Sequence, residues 1–200
     1  GILPNKLAES RIIVNLFFSQ LINQNTKELP QDNPDLQHQC LLLMDEFTSI
    51  GKVEIIAHSV SYMAGYNIRL FPIIQSVAQL DAVYGKEYAR TIITNHALQI
   101  IYTPREQQDA NEYSEMLGYT TVKRRNVSRG RERSVSESEE RRALMLPQEL
   151  KGMNQESEII IYEGMAHPAK VNKIRYYQDG MFTKRLRGAV KAASLKGGQQ

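Results

Sequence analysis

CLLLMDEF, residues Cys40 to Phe47, is a run of apolar residues that ends in two adjacent carboxylates. Five apolar residues in succession, Cys40 to Met44, predict a strand driven into an interior. Asp45 and Glu46 at its tip repel each other and resist desolvation, so the pair needs a partner or a task. A bound cation together with a water to be activated supplies both.

The flanking sequence sets this strand in an alternating pattern. Upstream, Pro4 and Asn5 mark a helix start with Asn5 as cap, followed by Ile13, Val14, Phe17, Phe18, Leu21 and Ile22 at spacings of three and four. That wide apolar face predicts a well-buried helix. Downstream, Val53, Ile56, Val60 and Met63 keep helical spacing until Gly65. A second strand is predicted over Ile68 to Gln75, with an irregularity at Pro72, which cannot donate to a ladder. Helices over 76–84 and 86–94, a strand over 98–102, a helix over 106–117 ended by Gly118, and an extended stretch at 120–122 continue the series. Strand and helix in alternation are the signature of an α/β fold with a mostly parallel sheet, covered by helices on both faces.

The remainder is less regular. Residues 126–142 are Ser, Arg and Glu with almost no apolar residue and read as a long exposed loop. Two further strands, 157–163 and 171–177, form a terminal β-hairpin turned at 164–168. The segment 181–200 reads as a basic flexible tail, leaving 1–180 as one domain.

Composition narrows the classes. Two hundred residues suit one medium domain or a large part of a bigger one, able to bury roughly 70 % of its unfolded surface. Apolar residues make up 42 % and charged residues 24 %, ordinary for a globular chain. The lone Cys40 cannot form an internal disulfide. No run approaches the roughly 18 apolar residues that span a bilayer. His38, His58, His96 and His167 lack metal-ligand spacing, and no serine sits in a nucleophile elbow. The pairs Phe17-Phe18 and Tyr176-Tyr177 read as core and strand residues.

An apolar strand ending in Asp-Glu is how a P-loop ATPase presents its second motif. The first acid holds Mg²⁺, usually through water, and the second polarises the water that attacks the γ-phosphate of ATP. Both must lie at the carboxyl end of a buried strand, where ligands of open α/β sheets bind. A solvated acidic turn is the bland alternative. Gln75, ending the next strand, would set an amide beside the acids, to donate to the γ-phosphate or orient the water.

LLLMDEFTSIGKVEII (41–56) and MAGYNIRLFPIIQSVAQLDAVYG (63–85) resemble the TraG-like coupling proteins of type IV secretion and conjugation systems. ILPNKLAESRIIVNLFFSQLI, RRALMLPQEL and VNKIRYYQD extend the resemblance to roughly Gly1–Phe182. The resemblance implies a RecA-like fold and a hexameric ATPase at the inner membrane that passes DNA, a relaxase–DNA complex or protein to components of the secretion channel. It also implies ATP and Mg²⁺ as cofactors, with Asp45 on the metal, Glu46 activating water and Gln75 sensing the nucleotide.

Two departures stand out. The phosphate-binding loop G-x-x-x-x-G-K-[ST] is absent, because the Gly-Lys pairs at 51 and 85 have Glu46 and Leu80 where its first glycine belongs. In the family that loop lies upstream, so the chain resembles the carboxyl-terminal part of the ATPase domain. Many relatives carry an arginine just before the Gly65-Tyr66 pair, where this chain has Ala64. Arg69 or Arg105 can take its place at the nucleotide, Arg69 being equally readable as a solvated strand residue.

The net charge is only +3, but Lys123, Arg124, Arg125, Arg129, Arg131 and Arg133 fall close together, as do Lys184, Arg185, Arg187, Lys191 and Lys196. The first group reads either as solvated surface or as a contact for nucleic acid or another partner. Two functions follow: a fragment of a coupling ATPase, or a non-catalytic docking platform whose acid pair is vestigial. A metal-dependent nuclease lacks the further ligands it needs.

Overall fold

A computed structural model describes residues 6, 9–129 and 133–188, without the side chains of 124–138. Helix α1 (Arg11–Asn25) leads to strand β1 (Cys40–Met44), helix α2 (Glu54–Ser59), a 3-10 turn at Met63–Tyr66 and strand β2 (Ile68–Pro72). Next come α3 (Val77–Tyr84), α4 (Lys86–Thr94), β3 (Leu98–Ile101) and α5 (Gln107–Leu117). A long pair β4 (Tyr119–Arg129) and β5 (Arg133–Ala143) precedes α6 (Pro147–Lys151), β6 (Ser157–Tyr162), β7 (Ala169–Asn172) and α7 (Gly180–Thr183).

The parallel arrangement is built on β1 and β2, which run side by side from Cys40 opposite Ile68 to Met44 opposite Pro72. Pro72 takes the last rung, where its missing N–H does least harm, and pairing resumes as Ile73 N donates to Met44 O at 2.9 Å. Leu42 and Met44 point into a core with Ile56, Met63, Ile68, Leu80 and Ile92. Val53, Ile56, Val60 and Met63 are all buried, as their helical spacing requires.

The N-terminus of α2 has no capping side chain of its own. Two distant residues serve it instead. Asn15 Oδ1 accepts from Glu54 N at 3.2 Å, and the Tyr84 hydroxyl accepts from Val53 N at 3.2 Å. Asn15 also donates from Nδ2 to Lys52 O at 3.0 Å, which locks α1 against the start of α2.

Four expectations need correction. Helix α1 begins at Arg11, the predicted start at Pro4 and Asn5 lies outside the described residues, and the helix is not well buried. Ile22 is covered, but Ile12, Ile13, Leu16 and Phe17 are exposed. Periodicity locates an apolar face without saying what covers it. The same holds for β1, whose outer residues Leu41 and Leu43 are 62 % and 60 % exposed.

The second correction concerns β3. It joins no parallel ladder among the described residues but pairs antiparallel with β6, which pairs antiparallel with β7, in the order β3-β6-β7. Ile101, Leu117, Leu150, Met153 and Ile159 close a second, smaller core against this sheet.

Third, most of the predicted loop 126–142 is ladder. β4 and β5 pair antiparallel from Tyr119 opposite Ala143 to Arg129 opposite Arg133. The register sets Lys123 opposite Glu139, unlike charges of the kind that support a strand pair by roughly 0.2–1 kcal/mol. Gly118, at φ +81, makes the turn from α5 into this pair in a conformation that L side chains rarely adopt.

Last, β7 ends at Asn172, before Tyr176 and Tyr177, which are exposed and stand edge to face at 5.4 Å. They are neither core nor strand residues. Of the tail predicted over 181–200, the first residues belong to α7, capped by Asp179 Oδ1 accepting from Met181 N at 2.8 Å. Residues 189–200 lie outside the described residues.

Candidate functional site

Strand β1 delivers Asp45 and Glu46 to its carboxyl end, and a tight turn holds them there. Glu46 N donates to Asp45 Oδ1 at 3.1 Å, while Ser49 donates to Glu46 O from both its backbone N and its Oγ, at 2.8 Å each. Phe47 anchors the turn from below. It is fully buried, stacks on Tyr84 at 5.2 Å and 17°, and donates its N–H to Ile73 O at 3.0 Å. Both acids are exposed.

Glu46 has φ +51, in the left-handed region, although it carries a full side chain. Holding an L-residue there costs about 1–2 kcal/mol. Such strain persists where surrounding contacts over-determine the backbone, a circumstance found most often at functional sites.

Gln75 lies three residues past β2 and two past Ile73, the residue hydrogen-bonded to both Met44 and Phe47. A polar relay links it to the acid turn. Thr48 Oγ1 donates to Gln79 Oε1 at 3.3 Å, and Gln79 Nε2 donates to Gln75 Oε1 at 3.5 Å. Gln79 itself is fixed on α3, where Ser76 Oγ caps the helix by accepting from Gln79 N at 3.3 Å. Sequence reading missed Gln79. No local signal marks it, because Gln75 precedes the Ser76 cap and the contact with Thr48 comes from another turn.

Asp109 closes the far side of this corner. It is only 4 % exposed and accepts from Val77 N at 3.4 Å, linking α5 to the start of α3. Burial pushes its carboxyl above the ordinary range, with Glu112, Glu106 and Asp81 adding to the effect and the Val77 bond opposing it.

Arg69 is not brought to the acids. It pairs with Leu41, three rungs before the carboxyl end of the ladder, a distance of about 10 Å along the strand. Its Nη1 donates to Ala64 O at 3.0 Å. Of the basic group, Lys123, Arg124, Arg125, Arg129 and Arg133 lie on the β4–β5 pair, and Arg131 falls outside the described residues.

Two hard oxygen donors at a strand end suit Mg²⁺, which commonly takes one or two carboxylates and completes its shell with water and substrate phosphates. The described residues contain no group of three or more His, Cys, Asp or Glu able to hold a metal alone. The site therefore fits a cation that arrives with a phosphate ligand.

Among the described residues β2 pairs only with β1, and β3 only with β6. Between them opens a cavity of about 730 Å³, lined by Phe71 to Gln75 on one wall and Leu98 to Tyr102 on the other. Ile73, Leu98 and Ile100 expose apolar surface there.

The chain is similar in sequence and in fold to known proteins. The chain is 29 % identical over 182 residues to the protein VirD4 of Agrobacterium fabrum, covering 89 % of this chain and 27 % of that protein. It is 29 % identical over 132 residues to the conjugal transfer protein TraG of Escherichia coli, covering 62 % of this chain and 20 % of that protein. The chain thus spans about a quarter of the length of these relatives. Its fold is similar to that of the plasmid coupling protein TrwB solved with ADP and Mg²⁺, with a TM-score of 0.64, 19 % identity and coverage of 84 % of this chain and 37 % of that one. The unbound form of TrwB gives 0.67, with 19 % identity over 84 % of this chain and 38 % of that one. No helix among the described residues is long and apolar enough to cross a membrane. The family model for type IV secretory system conjugative DNA transfer matches residues 1–198, and the chain belongs to that family.

Proposed function

We propose that the chain is the carboxyl-terminal part of the ATPase domain of a type IV secretion coupling protein. In its hexameric, inner-membrane form that protein hydrolyses ATP to deliver DNA, or a relaxase–DNA complex, to components of the secretion channel. The observation that carries this reading is the strained acid turn at the end of β1, joined through Thr48 and Gln79 to Gln75.

Each residue has a distinct task. Glu46 accepts a hydrogen bond from the attacking water and polarises it. Asp45 uses one oxygen to hold Glu46 N, which leaves the other for the hydration shell of Mg²⁺. When bound, Mg²⁺ neutralises charge on the β- and γ-phosphates. Gln75, its carbonyl oxygen held by Gln79, presents its amide NH₂ to the γ-phosphate or the water. Arg69, anchored on the Ala64 carbonyl where relatives carry an arginine, is assigned to the phosphates of a neighbouring subunit.

The slot between β2 and β3 supports the same reading. Two unpaired strand edges facing each other across an apolar cavity suit one further strand. A strand carrying the phosphate-binding loop would bring that loop to the level of Gln75. Triphosphate binding depends on the backbone N–H groups and lysine of such a loop. Without it the nearest charges are Asp45 and Glu46, which repel phosphate.

The test is complementation. Residues 1–200 alone are expected to show no measurable ATP turnover, and adding an upstream segment that carries the loop should restore ATP binding. Robust turnover by residues 1–200 alone, abolished by Glu46→Gln, would show that the site is not divided in this way.

A further inference from the structure

On the other side of the Tyr102–Arg105 segment lies a second cleft, of about 720 Å³, lined by Tyr102, Thr103, Arg105, Lys151, Lys173 and Arg175. Its four cations come from separate parts of the chain: the turn after β3, the end of α6 and the segment leaving β7. They fall together only in the folded molecule, where their mutual repulsion must be offset. We propose that this cleft binds the phosphodiester backbone of single-stranded nucleic acid, with exposed tyrosines beside it as stacking surfaces for bases.

Charge supports the assignment. Glu156 receives two hydrogen bonds from the Arg175 guanidinium, and this contact, aided by Lys173, holds its carboxyl below the ordinary range. Glu158 acts on the Tyr102 hydroxyl, raising its pKa together with burial, which is the larger cause. Those two carboxylates leave the cleft with a positive excess. Lys151 donates to the neutral Gln107 Oε1 at 3.3 Å, and Arg105 is exposed. Arginine and lysine together, without an acid in the lining, form an anion site.

The aromatic residues decide which anion. Lys173 Nζ sits 4.2 Å from the centre of the Tyr102 ring, and Tyr102 is 52 % exposed. Arg175 Nη1 donates to the Tyr177 hydroxyl at 3.4 Å, beside the exposed Tyr176. A cationic groove with exposed aromatic rings is the recurrent arrangement for single strands, in which phosphates track the charges and bases stack on the rings. The cavity assigned above to a further strand, which Gln75 also lines, lies across the shared wall at Tyr102–Arg105. The choice of nucleic acid as the polyanion rests on the DNA-transfer reading, whereas the cleft itself does not.

The experiment uses the complete gene product. Binding of a fluorescein-labelled dT20 oligonucleotide is followed by anisotropy across a NaCl series, with a fluorescent ATP analogue titrated in parallel. The double variant Lys151→Gln, Lys173→Gln should reduce the log–log salt slope by about 1.4, at roughly 0.7 per phosphate contact on single strands. Binding of the ATP analogue and the circular dichroism spectrum should be unchanged. Tyr102→Ala should weaken dT20 binding by roughly five-fold or more without altering the slope. An unchanged slope in a folded double variant would overturn the proposal, as would loss of ATP binding with dT20 binding retained, which would give the cleft to nucleotide phosphates. A Glu46→Gln variant that hydrolysed ATP normally would refute the ATPase reading and leave the dT20 slope untouched.

Discussion

Replacing Glu46 by glycine separates the structural cost of this residue from its chemical use. At φ +51 the residue occupies a conformation that costs an L side chain about 1–2 kcal/mol. Its carboxylate makes no hydrogen bond or ion pair among the described residues, so removing it loses no such contact there. Glycine relieves the strain but adds roughly 0.5–1 kcal/mol of chain entropy to the unfolded state. The net expectation is a gain of up to about 1 kcal/mol, or about 2–4 °C in Tm for a chain of this size. Glu46→Ala keeps the strain and should be near neutral, so the comparison of Gly with Ala isolates the backbone. Urea unfolding, with an unchanged m-value, reads the difference. In the complete gene product both variants should lose ATP hydrolysis. A glycine variant no more stable than the alanine variant would refute the claim that the acid turn stores strain.

Tyr84→Phe keeps the ring stacked on Phe47 but removes the acceptor for Val53 N, a fully buried donor. It should destabilise by roughly 1–3 kcal/mol in denaturant unfolding, and a neutral result would show that this bond does not hold α2. Burial raises the phenols of Tyr84 and Tyr113 to about 12, so titration of the tyrosines by absorbance should find two groups ionising well after the exposed ones. Asp109 gives a pH signature. A carboxyl raised in the folded state binds its proton more tightly there, so stability falls as pH rises from the ordinary carboxylate value of 3.8 through the raised one. Asp109→Asn should flatten that part of the stability profile, and an identical profile would remove Asp109 as its source.

The parts of this fold legible in the sequence are those set by local chemistry. Cys40 to Met44 announced a strand by unbroken apolarity, and Val53, Ile56, Val60 and Met63 announced a helical face by spacing. Ser76 and Gly118 fall where caps belong at helix ends. What stayed hidden depends on partners far away in the chain. Residues 98–101 pair with 159–162 rather than extending a parallel ladder, a choice made some sixty residues later. The β4–β5 pair has little apolar alternation, so its sequence lacks the period-two signal of a strand.

The candidate site divides along the same line. The end of β1 places Asp45 and Glu46, whereas the expected strand 68–75 stops at Pro72 and leaves Gln75 three residues beyond it. Gln79 could not be read, since its role depends on Thr48 reaching across from another turn. Arg69 sits three rungs from the acids of its own chain, and strand direction decides that where proximity in sequence does not. The cations at 105, 151, 173 and 175 form no motif until the fold around the β3-β6-β7 sheet brings them to one cleft.

The central claim is that Glu46 activates the water that attacks ATP. Its most direct test is single-turnover ATP hydrolysis by the complete gene product with Glu46→Gln, measured beside ATP binding. The substitution preserves shape and removes the carboxylate charge, so ATP should still bind while hydrolysis slows by on the order of 10²–10⁴. Hydrolysis at the wild-type rate would contradict the account.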